Sequence, residues 1–200
     1  MNTPWPDRCL VLSGAAAASA AVFTDAELVE ANAFKLAKRR DEWLLSRAAA
    51  KQLAVQLGLA SDPRDVTVER PFLVIGRQRT EWRVSLSHST PYAAAAIARE
   101  PIGIDIQVIR DIADRTTHLF LTPEEDADLH RCTLSHRVLH FWCAKEAAFK
   151  QRSDDFTTMR QLHMQLLAEH ADGLLFDAAE TVQLGEVIVA ITRPTSSAAP

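Results

Sequence analysis

With 200 residues, 48% of them hydrophobic and 24% charged, the chain has the length and core material for one large globular domain or two small ones. A formal net charge of −4 excludes a general nucleic-acid binder, and no run reaches the roughly 18 apolar residues of a membrane span. Charge is nonetheless uneven: residues 1–100 hold 13 Lys and Arg against 11 Asp and Glu, residues 101–200 hold 9 against 15, a division that suits anion binding in front and metal binding behind.

In chain order, Cys9–Ser13 reads as an opening strand inside an apolar run that ends near Phe23. Asp7 cancels Arg8, so the positive region that opens a secretory signal is missing. Three scattered cysteines without a CxxC pair argue against a zinc site and for a reducing compartment, and a cytoplasmic protein is expected. Thr24-Asp25-Ala26-Glu27 has the form of a capping box and starts a helix. A second helix is predicted over about Asp41 to Leu57, stopping at Gly58, with Arg40, Arg47 and Lys51 as a basic stripe. Ser61-Asp62-Pro63-Arg64 marks a loop and Pro71–Ile75 a short strand. Trp82 to Ser87 alternates, with Trp82, Val84 and Leu86 opposite Arg83, Ser85 and Ser87, and runs into a turn at His88-Ser89-Thr90-Pro91 before the strand Tyr92–Ala98.

Ile102 to Val108 alternates again: Ile102, Ile104, Ile106 and Val108 face the core while Gly103, Asp105 and Gln107 face away. Side chains two apart on a strand are parallel, so Asp105 and Gln107 can reach one ion, with Gly103 leaving room for a ligand; the plain alternative is that Asp105 only solvates an edge strand. Thr122-Pro123-Glu124-Glu125 is a second capping box with Pro at the first helical position. Phe141 to Lys150 reads as a buried helix, apolar except for Lys145, Glu146 and Lys150. Trp142, Glu146 and Lys150 share a face with Lys145 one position aside, which suits either binding of a metal and a phosphate or a structural Glu–Lys pair. Strand-like segments follow near His163–Leu167 and Glu186–Ile191, then a flexible tail over 193–200.

The two halves share a pattern. Trp43, Arg47, Ala48, Ala49 and Lys51 lie 99 residues before Trp142, Glu146, Ala147, Ala148 and Lys150, and the capping threonines Thr24 and Thr122 lie 98 apart. This reads as a duplication. If the halves face each other about a pseudo-twofold axis, Arg47 and Glu146 bring a cation and a carboxylate to one cleft.

Three motifs then stand in order: Val84-Ser85-Leu86-Ser87-His88-Ser89, Ile102-Gly103-Ile104-Asp105-Ile106-Gln107 and Phe141-Trp142-Cys143-Ala144-Lys145-Glu146-Ala147-Ala148-Phe149-Lys150. Together with Lys38-Arg39-Arg40 and Thr122-Pro123-Glu124-Glu125, they resemble the 4′-phosphopantetheinyl transferases of the monomeric, surfactin-synthetase-activating type. The resemblance implies an α+β fold of two similar halves, each a small antiparallel sheet with helices packed on it, over residues 1–98 and 99–192, with coenzyme A bound between them. It implies transfer of the phosphopantetheine arm to a serine of an acyl, aryl or peptidyl carrier protein, with Mg²⁺ as cofactor and no role for nucleic acid or membrane. By motif position Asp105, Glu146 and Gln107 hold the metal, and Glu146 is also the base. Lys145 and Lys150 hold the pyrophosphate, while Ser87 and His88, assisted by Arg40 and Arg47, bind the 3′-phosphate side. The resemblance also implies a phosphate contact of coenzyme A from Arg77 or Arg79, near the usual Gly-Lys-Pro position, from which Gly76-Arg77-Gln78 departs. Gln107 also departs, standing where the family has an acid, and predicts a higher Mg²⁺ demand. The Gly-rich stretch expected after Lys150 is replaced by Gln151 to Phe156. The alternative reading is a catalytically degenerate coenzyme A- or nucleotide-binding module.

Overall fold

The computed structural model describes residues 1, 3–14, 18–152 and 155–193, and it divides into two compact units, Met1–Arg99 and a second beginning at Glu100. The tail expected over 193–200 and the substitution of Gln151 to Phe156 lie wholly or partly outside the described residues.

The first unit opens with β1 (Cys9–Ser13), as the apolar run predicts. Thr24 caps α1 (Asp25–Asn32) in a complete capping box with Glu27. The long helix α2 spans Ala37–Gln56 and starts four residues earlier than predicted. Lys38 and Arg39 reach Glu42 one turn on, 3.8 Å away in each case, and such pairs favour the extra turn. Gly58, at φ +70°, turns the chain out of the helix end, a conformation that costs glycine little.

Four antiparallel strands follow: β2 (Val66–Glu69), β3 (Phe72–Ile75), β4 (Gln78–Ser89) and β5 (Tyr92–Ala98). The sheet order is β1-β5-β4-β3-β2. The β4–β5 ladder includes His88↔Ala93 and Ser89↔Tyr92, so His88 belongs to the strand and the turn shrinks to Thr90-Pro91. Ala93 to Ala96 are wholly buried on this central strand, as are Ala48, Ala49 and Ala50 on the helix that covers it. Small residues on both sides let the helix backbone approach the sheet.

The second unit repeats the plan. It comprises β6 (Ile104–Val108), α3 (Pro123–Arg131), α4 (Arg137–Gln151), β7 (Leu166–Glu169), β8 (Leu174–Phe176), β9 (Ala179–Leu184) and β10 (Val187–Thr192). Its sheet order is β6-β10-β9-β8-β7, which matches the first sheet strand for strand. Gly103 does not leave room for a ligand as expected: a Cβ there would meet the Ala147 carbonyl oxygen at 1.9 Å, so the space is taken by α4 itself. The hydrophobic core of this unit gathers Phe120, Phe141 and Phe176 around α4, with Phe141 and Phe176 edge to face at 5.0 Å.

The duplication is real in topology, but its register differs from the one inferred from sequence. Leu10 pairs with Ala95 across β1–β5, and Asp105 pairs with Ala190 across β6–β10, both members displaced by 95 residues. On the long helices the buried positions coincide at a displacement of 94, which puts Lys51 with Lys145 and Gln52 with Glu146. Burial against the sheet sets the correspondence, and the Trp and Ala matches at 99 do not follow it. Arg47 is therefore not the counterpart of Glu146.

Candidate functional site

In the second unit β6 and α4 lie side by side, and their seam carries the charged side chains. Asp105 is 2% exposed. Its Oδ1 accepts a hydrogen bond from Lys150 Nζ at 2.7 Å, and its Oδ2 accepts one from Gln107 Nε2 at 2.9 Å. Lys150 Nζ also donates to the Ile104 carbonyl at 3.1 Å and stands 4.0 Å from Glu146 Oε2. Asp105 Oδ1 and Glu146 Oε2 thus lie no more than 6.7 Å apart, with one ammonium near both. Asp105 and Gln107 project together from one face of β6, as the alternation predicts, and Asp105 is buried rather than solvating an edge.

Burial raises the Glu146 pKa, and the neighbouring Asp105 raises it further; Lys150 opposes both. Glu146 keeps 28% of its side chain exposed and Lys150 keeps 29%, so both open to solvent from the seam. The donor set is two carboxylates and an amide oxygen, hard ligands that fit a magnesium ion, and the Lys150 ammonium shows that the spot attracts a cation. Among the described residues no group of three or more His, Cys, Asp or Glu stands ready to hold a metal, in keeping with an amide in the third position.

Lys145 has another use than the phosphate contact expected of it. It is wholly buried, and its Nζ donates to both Glu125 carboxylate oxygens at 2.8 and 2.9 Å and to the Leu162 carbonyl. Glu125 accepts in addition from Thr122 N at 2.7 Å and Met164 N at 2.8 Å. One position around α4 from Glu146 points about 100° away, enough to send Lys145 into the core. Burial lowers its pKa and Glu125 restores part of the loss. The first unit has the same device: Lys51, read as part of a basic stripe, is wholly buried with its Nζ 2.9 Å from Glu27 Oε2.

In the first unit His88 stands on the α2 side of the sheet, its Nδ1 3.7 Å from Glu42 Oε1, which also accepts from Thr90 Oγ1 at 3.0 Å. Beside them is a cavity of about 390 Å³ lined by Lys38, Asp41, Glu42, Leu45, Thr90, Pro91 and Tyr92. Ser87 is buried and, as the next residue on a strand, faces the opposite side of the sheet from His88, so the pair does not act as one clamp. Arg40 is partly exposed beside Asp41. Arg47 lies 3.8 Å over the Trp43 ring; burial lowers its pKa, and the nearby Arg70 adds to that while Glu30 opposes it. Arg77 sits in the β3–β4 turn with φ +67°, and a ten-residue stretch of strand carries Ser87 roughly 30 Å from it.

Two roles and one residue escaped the sequence reading: the pairing of Glu27 and Glu125 with buried lysines, and Arg70. Glu125 and Glu27 are signalled by their place at the third position of each capping box, ahead of a lysine with nowhere wet to go. Arg70, in an Arg-Pro dipeptide, is a better candidate than Arg77 for the basic-Pro position because its charge reaches Arg47.

A buried acid and a half-buried acid thus share one lysine, with an amide beside them. Residues 101–182, which include Asp105, Gln107, Glu146 and Lys150, match the 4′-phosphopantetheinyl transferase superfamily. Enterobactin synthase component D of Escherichia coli (strain K12) is 33% identical over 117 residues, covering 56% of this chain and 54% of that protein. The chain thus matches about half the length of this curated relative. Among the described residues no helix is long and apolar enough to cross a membrane.

Proposed function

We propose that the chain transfers the 4′-phosphopantetheine arm of coenzyme A to a serine of an apo carrier protein, releasing adenosine 3′,5′-bisphosphate. The observation that carries this reading is the Asp105–Lys150–Glu146 cluster with Gln107, seated in the segment that matches the family. Asp105, Glu146 and the Gln107 amide would hold Mg²⁺, which neutralises charge on the diphosphate and on the departing phosphate. Glu146, its pKa raised toward the working range, is the group to take the proton of the serine hydroxyl. The serine oxygen bonds to the β-phosphorus, the bridging P–O bond breaks, and its electron pair leaves on the adenosine bisphosphate. Lys150 is the cation available to the diphosphate. In the first unit His88 and Lys38 border the cavity suited to the nucleotide end, and Arg40, Arg47 and Arg70 are further cations for its phosphates; Ser87 contributes from the other face of the sheet.

Carrier proteins of fatty-acid, polyketide or peptide-synthetase systems are the class of partner, and the enzyme works as a cytoplasmic monomer. Incubation with coenzyme A, Mg²⁺ and a panel of apo carriers should add the mass of one phosphopantetheine arm to at least one of them. Binding of coenzyme A with no mass gain on any carrier would favour the degenerate module, the reading that Gln107 alone supports.

A further inference from the structure

Asp105 carries a buried charge that needs a partner, since an uncompensated carboxylate in the interior is strongly unfavourable. Both its oxygens are engaged by N–H donors, Oδ1 by Lys150 and Oδ2 by Gln107. The same Lys150 ammonium stands 4.0 Å from Glu146. We propose that Lys150 is a positioning residue that takes a cation's place in the metal-free chain: its ammonium holds Asp105 and Glu146 in register and has to release Asp105 before the two carboxylates share a divalent ion. This rests on the metal-binding reading above.

The physical argument is one of competition for lone pairs. A carboxylate oxygen that accepts a 2.7 Å charge-assisted hydrogen bond gives up that bond, or weakens it, to ligate a metal. The Lys150 ammonium is a cation close to both acids, which lie less than 7 Å apart. Asp105 already raises the proton affinity of Glu146 in spite of Lys150. Lys145 cannot substitute, because Glu125 and the Leu162 carbonyl hold it in the core. Lys150 therefore has two uses that exclude each other, counter-ion to Asp105 before metal uptake and phosphate ligand after it. Ion binding and anion binding are then coupled through one side chain.

The test is Mn²⁺ binding by calorimetry, in the absence of coenzyme A, to the wild-type chain and to Lys150→Met, which keeps the chain length and removes the charge. Lys150→Met should bind Mn²⁺ about tenfold more tightly, a factor usual for coupling between two occupants of one site. In chelator it should melt below wild type, and Mn²⁺ should raise its melting temperature by more than it raises that of wild type. Equal or weaker Mn²⁺ binding by Lys150→Met overturns the proposal while leaving the metal site standing; no Mn²⁺ binding by either protein overturns the metal reading itself. If Lys150→Met does not fold, acetylation of wild type followed by peptide mapping decides: Lys150 should be modified faster with Mn²⁺ present, and an unchanged rate overturns the proposal.

Discussion

In each unit a capping-box glutamate is buried against a lysine of the long helix, Glu27 with Lys51 and Glu125 with Lys145. Each lysine also ties in the segment that leads to the next strand, through the Pro63 carbonyl in one unit and the Leu162 carbonyl in the other. The units part at the seam between the long helix and the first strand. Where the second has Asp105, Gln107, Glu146 and Lys150, the matching positions of the first hold Leu10, Leu12, Gln52 and Gln56, and Leu10 and Leu12 pack against its apolar core. The same sheet order and helix placement thus form with or without the charged cluster. The buried Lys–Glu pair is common to both units, and the Asp–Lys–Glu cluster is particular to the second.

The largest effects should come from the shared device. Lys51→Met and Lys145→Met each leave a buried glutamate unpaired, and each should lower unfolding free energy by about 3–5 kcal/mol in denaturant titration. A clear inequality between the two would break the structural equivalence. Next, Glu146→Gln should fold normally yet reduce transfer by about a hundredfold or more, whereas Gln52→Ala, at the matching place in the first unit, should leave the rate within about twofold of wild type. Gly103→Ala, which drives a methyl into the Ala147 carbonyl, should cost about 1–3 kcal/mol of stability in the second unit.

Much of the fold was legible in the sequence because its signals are local. The two capping boxes fixed the starts of α1 and α3, an apolar run marked β1, and alternation fixed β4 and β6 to within a few residues. The strands β2, β8 and β9 were not read, since three to six residues, whether uniformly apolar like Leu174–Phe176 or mixed like Ala179–Leu184, carry too little periodicity. At the site, the parallel projection of Asp105 and Gln107 and the shared face of Glu146 and Lys150 followed from period two and period four. The fate of Lys145 did not, because its partner Glu125 is twenty residues away and only tertiary packing joins them. The repeat register failed for a related reason: residue identities in an Ala-rich helix match at several offsets, while burial against a sheet matches at one.

Two smaller effects sharpen the contrast further. Glu146 has a raised pKa, so its neutral form is favoured by folding; that stability is present at acid pH and lost as pH rises through the raised value. Glu146→Gln should remove this pH dependence in the metal-free chain, seen as a flatter melting temperature against pH in chelator. Gln107→Glu should lower the Mg²⁺ concentration needed for half-maximal transfer, by about fivefold or less; an unaltered Mg²⁺ requirement would remove Gln107 from the metal.

The account stands on a proposed base in the second unit, Glu146, with no counterpart at Gln52 of the first, and intact-mass measurement of an apo carrier protein exposed to coenzyme A and Mg²⁺ tests it most directly. Wild type and Gln52→Ala should both convert the carrier to the heavier form, and Glu146→Gln should leave it unmodified over the same interval. Conversion by Glu146→Gln at the wild-type rate would contradict the account.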